Sequence, residues 1–154
     1  MNPKGDAAMR FVLASITIIT VFAATAHAKD NPVSQLHAVR SLKCHFGSGT
    51  AAKWTSSTPK TIAAYSNEDI LIDSIDLKEN SAQMSSNTAS VTSRIMINKF
   101  EISFIASDAG VLVVTNVFPI YSDTHDFIAI YTRHVLASGT ITSEQYFGTC
   151  KTWH

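Results

Sequence analysis

The residues best able to do chemistry cluster in Ser122–Val135, "SDTHDFIAIYTRHV". His125, Asp126 and His134 together would make an acid-base or metal group, since imidazole titrates near neutrality and a carboxylate can orient it. Strand alternation limits who can meet whom. Phe127, Ala129, Tyr131, Arg133 and Val135 fall on one face and Ile128, Ile130, Thr132 and His134 on the other. Arg133 and His134 therefore cannot serve one site on a regular strand, while Tyr131 and Arg133 share a face and can form a cation–π pair or a binding patch. No nucleophile motif accompanies the cluster. Asp73 and Asp76 are three apart, so on a strand they point oppositely and cannot flank one sugar. "GSGT" at 47–50 lacks the lysine and following helix of a phosphate loop and reads as a turn. No catalytic residue, cofactor or metal is expected. The binding candidates are Tyr131, Arg133, His125 and His134.

Two cysteines, Cys44 and Cys150, lie near the two ends of the chain. The segment at 9–28, "MRFVLASITIITVFAATAHA", has a basic Arg10, an apolar run from Phe11 to Ala24 and a small-x-small Ala26-His27-Ala28. It reads as a signal peptide over 1–28, cleaved to leave one domain over 29–154, with Met1 or Met9 as the start. An exported chain with two cysteines favours one disulfide. The rival is a zinc set adding His45 and His154, but zinc fingers use tighter spacings, and Cys44 and His45 project to opposite faces of a strand. Removing Lys4 and Arg10 from the 12 basic residues and Asp6 from the 12 acidic ones leaves 10 and 11, a net charge of −1. No basic footprint for nucleic acid or an anionic membrane surface remains, and no stable membrane insertion is expected after cleavage.

The elements that must position these residues are strands. From Arg40 onward Thr, Ser, Ile, Val, Phe and Tyr dominate, without helical periodicity. "DNPVSQLHAVR" is the one helical candidate, with Asn31 as cap and Pro32 at the first position, and an extended lead-in is its alternative. Strands are predicted at 42–46 (ended by Gly47 and Gly49), 70–77, 82–84, "SVTSRIMI", "FEISFIAS", "GVLVVTNVFP", "DFIAIYTRHV" and 145–153, with the clearest turn at Asp108–Gly110. The segment around Trp54 and Pro59 reads as a loop or irregular strand, and Ile120–His125 and Ala137–Glu144 as loops. The fold class is all-β, a single-domain antiparallel barrel or sandwich of about eight strands, with one disulfide linking the first and last strands.

The block "VFPIYSDTHDFIAIYTRH", with "QYFGTCK" and "DSIDLKENSA", resembles small exported proteins of proteobacteria that carry no assigned activity. The resemblance implies a periplasmic or secreted setting and no catalytic residues. In outline the chain is also similar to the periplasmic inhibitors of C-type lysozyme, small antiparallel barrels clipped by a disulfide near both ends. Those plug the enzyme cleft with a Ser-Gly-x-x-Tyr-like segment; here "SNTASV" and "SDAGVL" lack the tyrosine, and no inhibitory residue carries over. The expected function is a non-enzymatic module that binds a protein or envelope partner through the loops Ile120–His125 and Ala137–Glu144. A lipocalin-like carrier holding an apolar ligand inside the barrel is the alternative, and the discriminator is whether the bulky Ile102, Phe104, Ile128 and Ile130 fill the inward face. A hydrolase or metal enzyme around His125, Asp126 and His134 comes third.

Overall fold

The computed structural model describes residues 31–54 and 58–154; the leader expected over 1–28 and its cleavage site lie outside them. A helix, α1 (Pro32–Ala38), precedes eight strands, β1 (Leu42–Trp54), β2 (Lys60–Asp76), β3 (Ser81–Ser85), β4 (Ser90–Ile97), β5 (Ile102–Asp108), β6 (Val111–Tyr121), β7 (Phe127–Ala137) and β8 (Thr140–Thr152). Consecutive strands pair antiparallel and β8 returns to β1, so the sheet closes into a barrel rather than a sandwich. Among the described residues no helix is long and apolar enough to cross a membrane.

Turn chemistry sets the hairpins. Ala109 and Gly110 between β5 and β6, and Ser138 and Gly139 between β7 and β8, all have positive φ. Two such residues in succession mark the two-residue hairpin turn whose twist matches that of the strands it joins. Elsewhere a side chain closes the turn: Asp76 Oδ1 accepts from the Lys78 and Glu79 amides, and Asn98 Oδ1 from those of Phe100 and Glu101. These two amides hold the Asp76 carboxyl below its ordinary range, Glu79 first. The hairpin at 138–139 overturns the loop expected over Ala137–Glu144, because Thr140 to Glu144 already belong to β8.

Gly47 and Gly49 do not end the first strand either. β1 runs through them to Trp54 with a bulge between Phe46 and Ser48, so "GSGT" is a strand segment and not a turn. β2 likewise begins at Lys60, inside the stretch expected to be loop or irregular strand.

Register stacks the interior in rows. Ile70, Cys44, Cys150 and Phe127 are neighbours across four strands. The Cys44–Cys150 disulfide, with Cα atoms 3.9 Å apart, lies in this row and is fully buried. Above it come Phe46, Gly148, Ala129, Val117 and Ile102, and above those Tyr146, Tyr131, Thr115, Phe104 and Ile95. Phe46, Phe104, Ile72, Ile102 and Val117 are wholly buried, so this half of the barrel is a packed core. Ile102 and Phe104 fill it as expected. Ile128, 37% exposed, and Ile130 do not, because the inward parity of β7 is that of Phe127, Ala129 and Tyr131.

α1 shuts the packed end. Its cap is the Asn31 side chain, accepting from the Val33 amide, with Pro32 in the first turn. Leu36 and Val39 join the core, and Tyr121 of β6 donates to Gln35. Tyr121 packs on Phe127 in a tilted pair, ring centroids 5.1 Å apart, and completes the plug.

On the outer wall, Asp69 of β2 accepts from Lys43 Nζ at 3.1 Å and lies 2.9 Å from His45 Nδ1. The His45 contact and then Lys43 hold its carboxyl below the usual 3.8. A depressed folded value means that the ion pair stabilises above the unfolded value and is lost as pH falls through the folded one. Asp69 is half exposed, so Asp69→Asn should cost under about 1 kcal/mol at pH 7. Urea midpoints of variant and wild type should converge below about pH 3; a difference persisting there would assign the effect to something other than charge.

Candidate functional site

Above the Tyr131 row the interior is open. The next row reads Ile62, Ala51, Glu144, Arg133, Val113 and Ala106, and a cavity of about 360 Å³ lies in it, at the end away from α1. Ile70 and Met84 face it from β2 and β3, Val91 from β4, Ala106 from β5 and Val113 from β6. The rim is the β3–β4 turn at 86–89 and the β5–β6 turn at 108–110. The mouth is lopsided. β1, β2, β7 and β8 have 11 to 17 residues each, whereas β3, β4 and β5 have 5 to 8.

Glu68, Tyr131 and Arg133 are the polar side chains that line it from the long strands β2 and β7. Arg133 Nε donates to Glu144 Oε2 at 2.9 Å, a bond that uses one of the five guanidinium N–H groups. Burial opposes the charge on Arg133, but the Glu144 hydrogen bond and the carboxylates of Glu144 and Glu68 outweigh it and raise its pKa. Tyr131 packs between Phe46 at 5.3 Å and Tyr146 at 6.1 Å. Burial, reinforced by Glu68, pushes its phenol up to about 12, so it stays a neutral hydroxyl at any physiological pH. Burial raises Tyr146 as well, followed by the charge of Glu144. In the packed row that contains Tyr131, the buried Thr115 hydroxyl has no hydrogen-bond partner among the described residues. Isolated in that way, such a group costs about 1–3 kcal/mol.

The sequence candidates divide. Tyr131 and Arg133 line this cavity together. His125 sits at the opposite end, in the turn after β6 with φ 61° and its ring 6.1 Å from that of Tyr121. His134 is on the outer face of β7, where it joins Leu112, Leu136 and Ile141 around a shallow surface hollow. Eight strand residues at about 3.3 Å each separate Asp126 from His134, roughly 26 Å. The trio is not brought together, and no group of three or more metal-ligating side chains occurs among the described residues. Of the two expected contact loops, Ile120–His125 lies beside α1 and shrinks to Ser122–Asp126, and Ala137–Glu144 is the hairpin described above.

Sequence reasoning missed Glu68, Met84, Val113 and Glu144. The signal for Glu144 was present: counting back by twos from inward Cys150 gives Gly148, Tyr146 and Glu144. Glu68 follows from inward Ile70 in the same way. A search of protein-family models, of curated proteins and of solved structures finds no match to this chain.

Proposed function

We propose that this protein binds a small, mainly apolar molecule in the mouth of its barrel, as an exported, periplasmic or secreted carrier rather than as a catalyst. The observation that carries this reading is the division of the interior: one half is packed solid, and the other holds a cavity of about 360 Å³ on which side chains from six strands converge. That size lies at the lower end of small-molecule sites, which are typically apolar with a few placed polar groups. At roughly 30 Å³ per water it admits about a dozen water-sized volumes. The apolar body of the ligand rests on Ile70, Met84, Val91 and Val113, and a polar end meets the Tyr131 hydroxyl, a permanent donor, beside Arg133 and Glu68. Because the lower half is packed, the proposed site is confined to the mouth.

Filling the cavity tests this. Val113→Trp should fold, because the new ring enters open space rather than packed core. It should weaken binding of an apolar fluorophore such as anilinonaphthalene sulfonate at least about tenfold. Native mass spectrometry of freshly purified wild type should show an adduct that the variant lacks. Equal fluorophore affinity in the two proteins would remove the cavity from consideration.

A further inference from the structure

β2 is paired with β1 from Lys60 to Ile72, but β3 joins its other side only from Leu71 onward. From Lys60 to Ile70 that second edge has no strand partner among the described residues. Unpaired backbone over eleven residues is a template for another strand, and proteins ordinarily blunt such edges with charge, proline or a bulge. Here the seven residues Thr61 to Asn67 carry no charge, no proline and no glycine, and the one irregularity is the shift of register against β1 between Tyr65 and Glu68. Their side chains are open to contact, Ile62 being 64% exposed on the inner face and Tyr65 78% exposed on the outer. Charge appears only at the ends, with Lys60 at one and Glu68 and Asp69 at the other.

That charge order is complementary to itself when reversed. We propose that this edge pairs antiparallel with the same edge of a second copy of the chain, about a two-fold axis at Ala64. Side-chain parity allows this register, since a two-fold normal to the sheet keeps inner faces together. Lys60 then falls opposite the partner's Glu68, Ile62 opposite the partner's Ser66, and Tyr65 opposite the partner's Ala63. Small residues at 63, 64 and 66 admit the close approach a ladder needs. The backbone hydrogen bonds supply affinity and the two end charge pairs fix register. The inner faces of both copies lie on the same side of the merged sheet, and their barrel axes run antiparallel. Glu68, which lines the cavity, becomes part of the interface too. None of this depends on what the cavity holds.

Sedimentation equilibrium of the full chain over a range of concentrations is the test. Wild type should reach a dimer. Lys60→Glu, at an exposed position, should raise the dimer Kd about tenfold by setting like charges opposite. Lys60→Glu with Glu68→Lys should restore it, and Ala64→Asp, which sets two carboxylates across the axis, should dissociate it. Circular dichroism checks the fold of each variant. A wild type monomeric at every concentration leaves the edge to a strand of another protein and overturns self-pairing. A dimer indifferent to Lys60→Glu or Ala64→Asp, or a folded double variant that stays as weak as Lys60→Glu, overturns it as well.

Discussion

Replacing Cys44 and Cys150 together by alanine should lower the unfolding free energy by about 2–5 kcal/mol, the range seen when native disulfides are removed from small secreted domains. The bond spans a sequence separation of 106, a loop whose closure is worth about 4.7 kcal/mol in the chain-entropy model. It also lies where closure matters most. Every other strand pair in the barrel is joined by a short connection, whereas the β1–β8 seam unites the two ends of the sheet through eleven register pairs. Those pairs remain in the variant, so the barrel stays closed in the folded state and the loss acts through a freer unfolded chain. The urea m-value should therefore rise as the midpoint falls, because an uncrosslinked chain exposes more surface on unfolding. Both cysteines are fully buried, so in the wild type reductant should act no faster than the seam opens. A midpoint change worth under about 1 kcal/mol at unchanged m would show that the clasp constrains nothing the seam does not already hold.

The parts of this fold legible in the sequence were those governed by local rules. Alternation from Phe127 to Val135 placed Tyr131 and Arg133 on one face, and they line one cavity. Asn31 and Pro32 marked the helix start, and Asp108–Gly110 marked a hairpin. Failures came where a tertiary contact overrides a local preference. Ile128 and Ile130 are apolar yet point outward, because in a closed sheet the register of neighbouring strands decides which parity is inside. Glycine and proline near Trp54 argued for a loop or irregular strand, but pairing with β2 as far as Lys53 and with β8 as far as Trp54 holds β1 extended. The cavity itself was illegible. It arises from unequal strand lengths and from the row at which side chains stop filling the barrel, and no single segment encodes either.

Gly49 and Gly148 show what those glycines are for. At Gly148 an added Cβ would lie 2.0 Å from the His45 carbonyl oxygen, 2.9 Å from its carbon and 2.7 Å from the Phe46 ring; at Gly49 the corresponding contacts are 2.0 Å to the Gln145 oxygen and 2.7 Å to the Tyr146 ring. Each glycine lies opposite an aromatic residue of the other strand, Gly148 opposite Phe46 and Gly49 opposite Tyr146, so β1 and β8 approach closely on either side of the bulge with a ring over each gap. Such close approach of two backbones is a recognised use of glycine inside strands. Gly148→Ala should therefore cost about 3 kcal/mol or more, the top of the range for overpacking, because the clashing atom belongs to a backbone paired on both sides. His45 cannot retreat without loosening its register with Asp69 of β2, and the strain falls two residues from Cys150. Gly47 supplies the control. Its added Cβ would meet only the Tyr65 ring at 4.0 Å, an ordinary contact, so Gly47→Ala should change stability by no more than about 1 kcal/mol in either direction. Urea titration of the two variants decides the matter: equal losses would mean that the seam relaxes freely, and that the tight approach of β1 to β8 is not what holds the barrel shut.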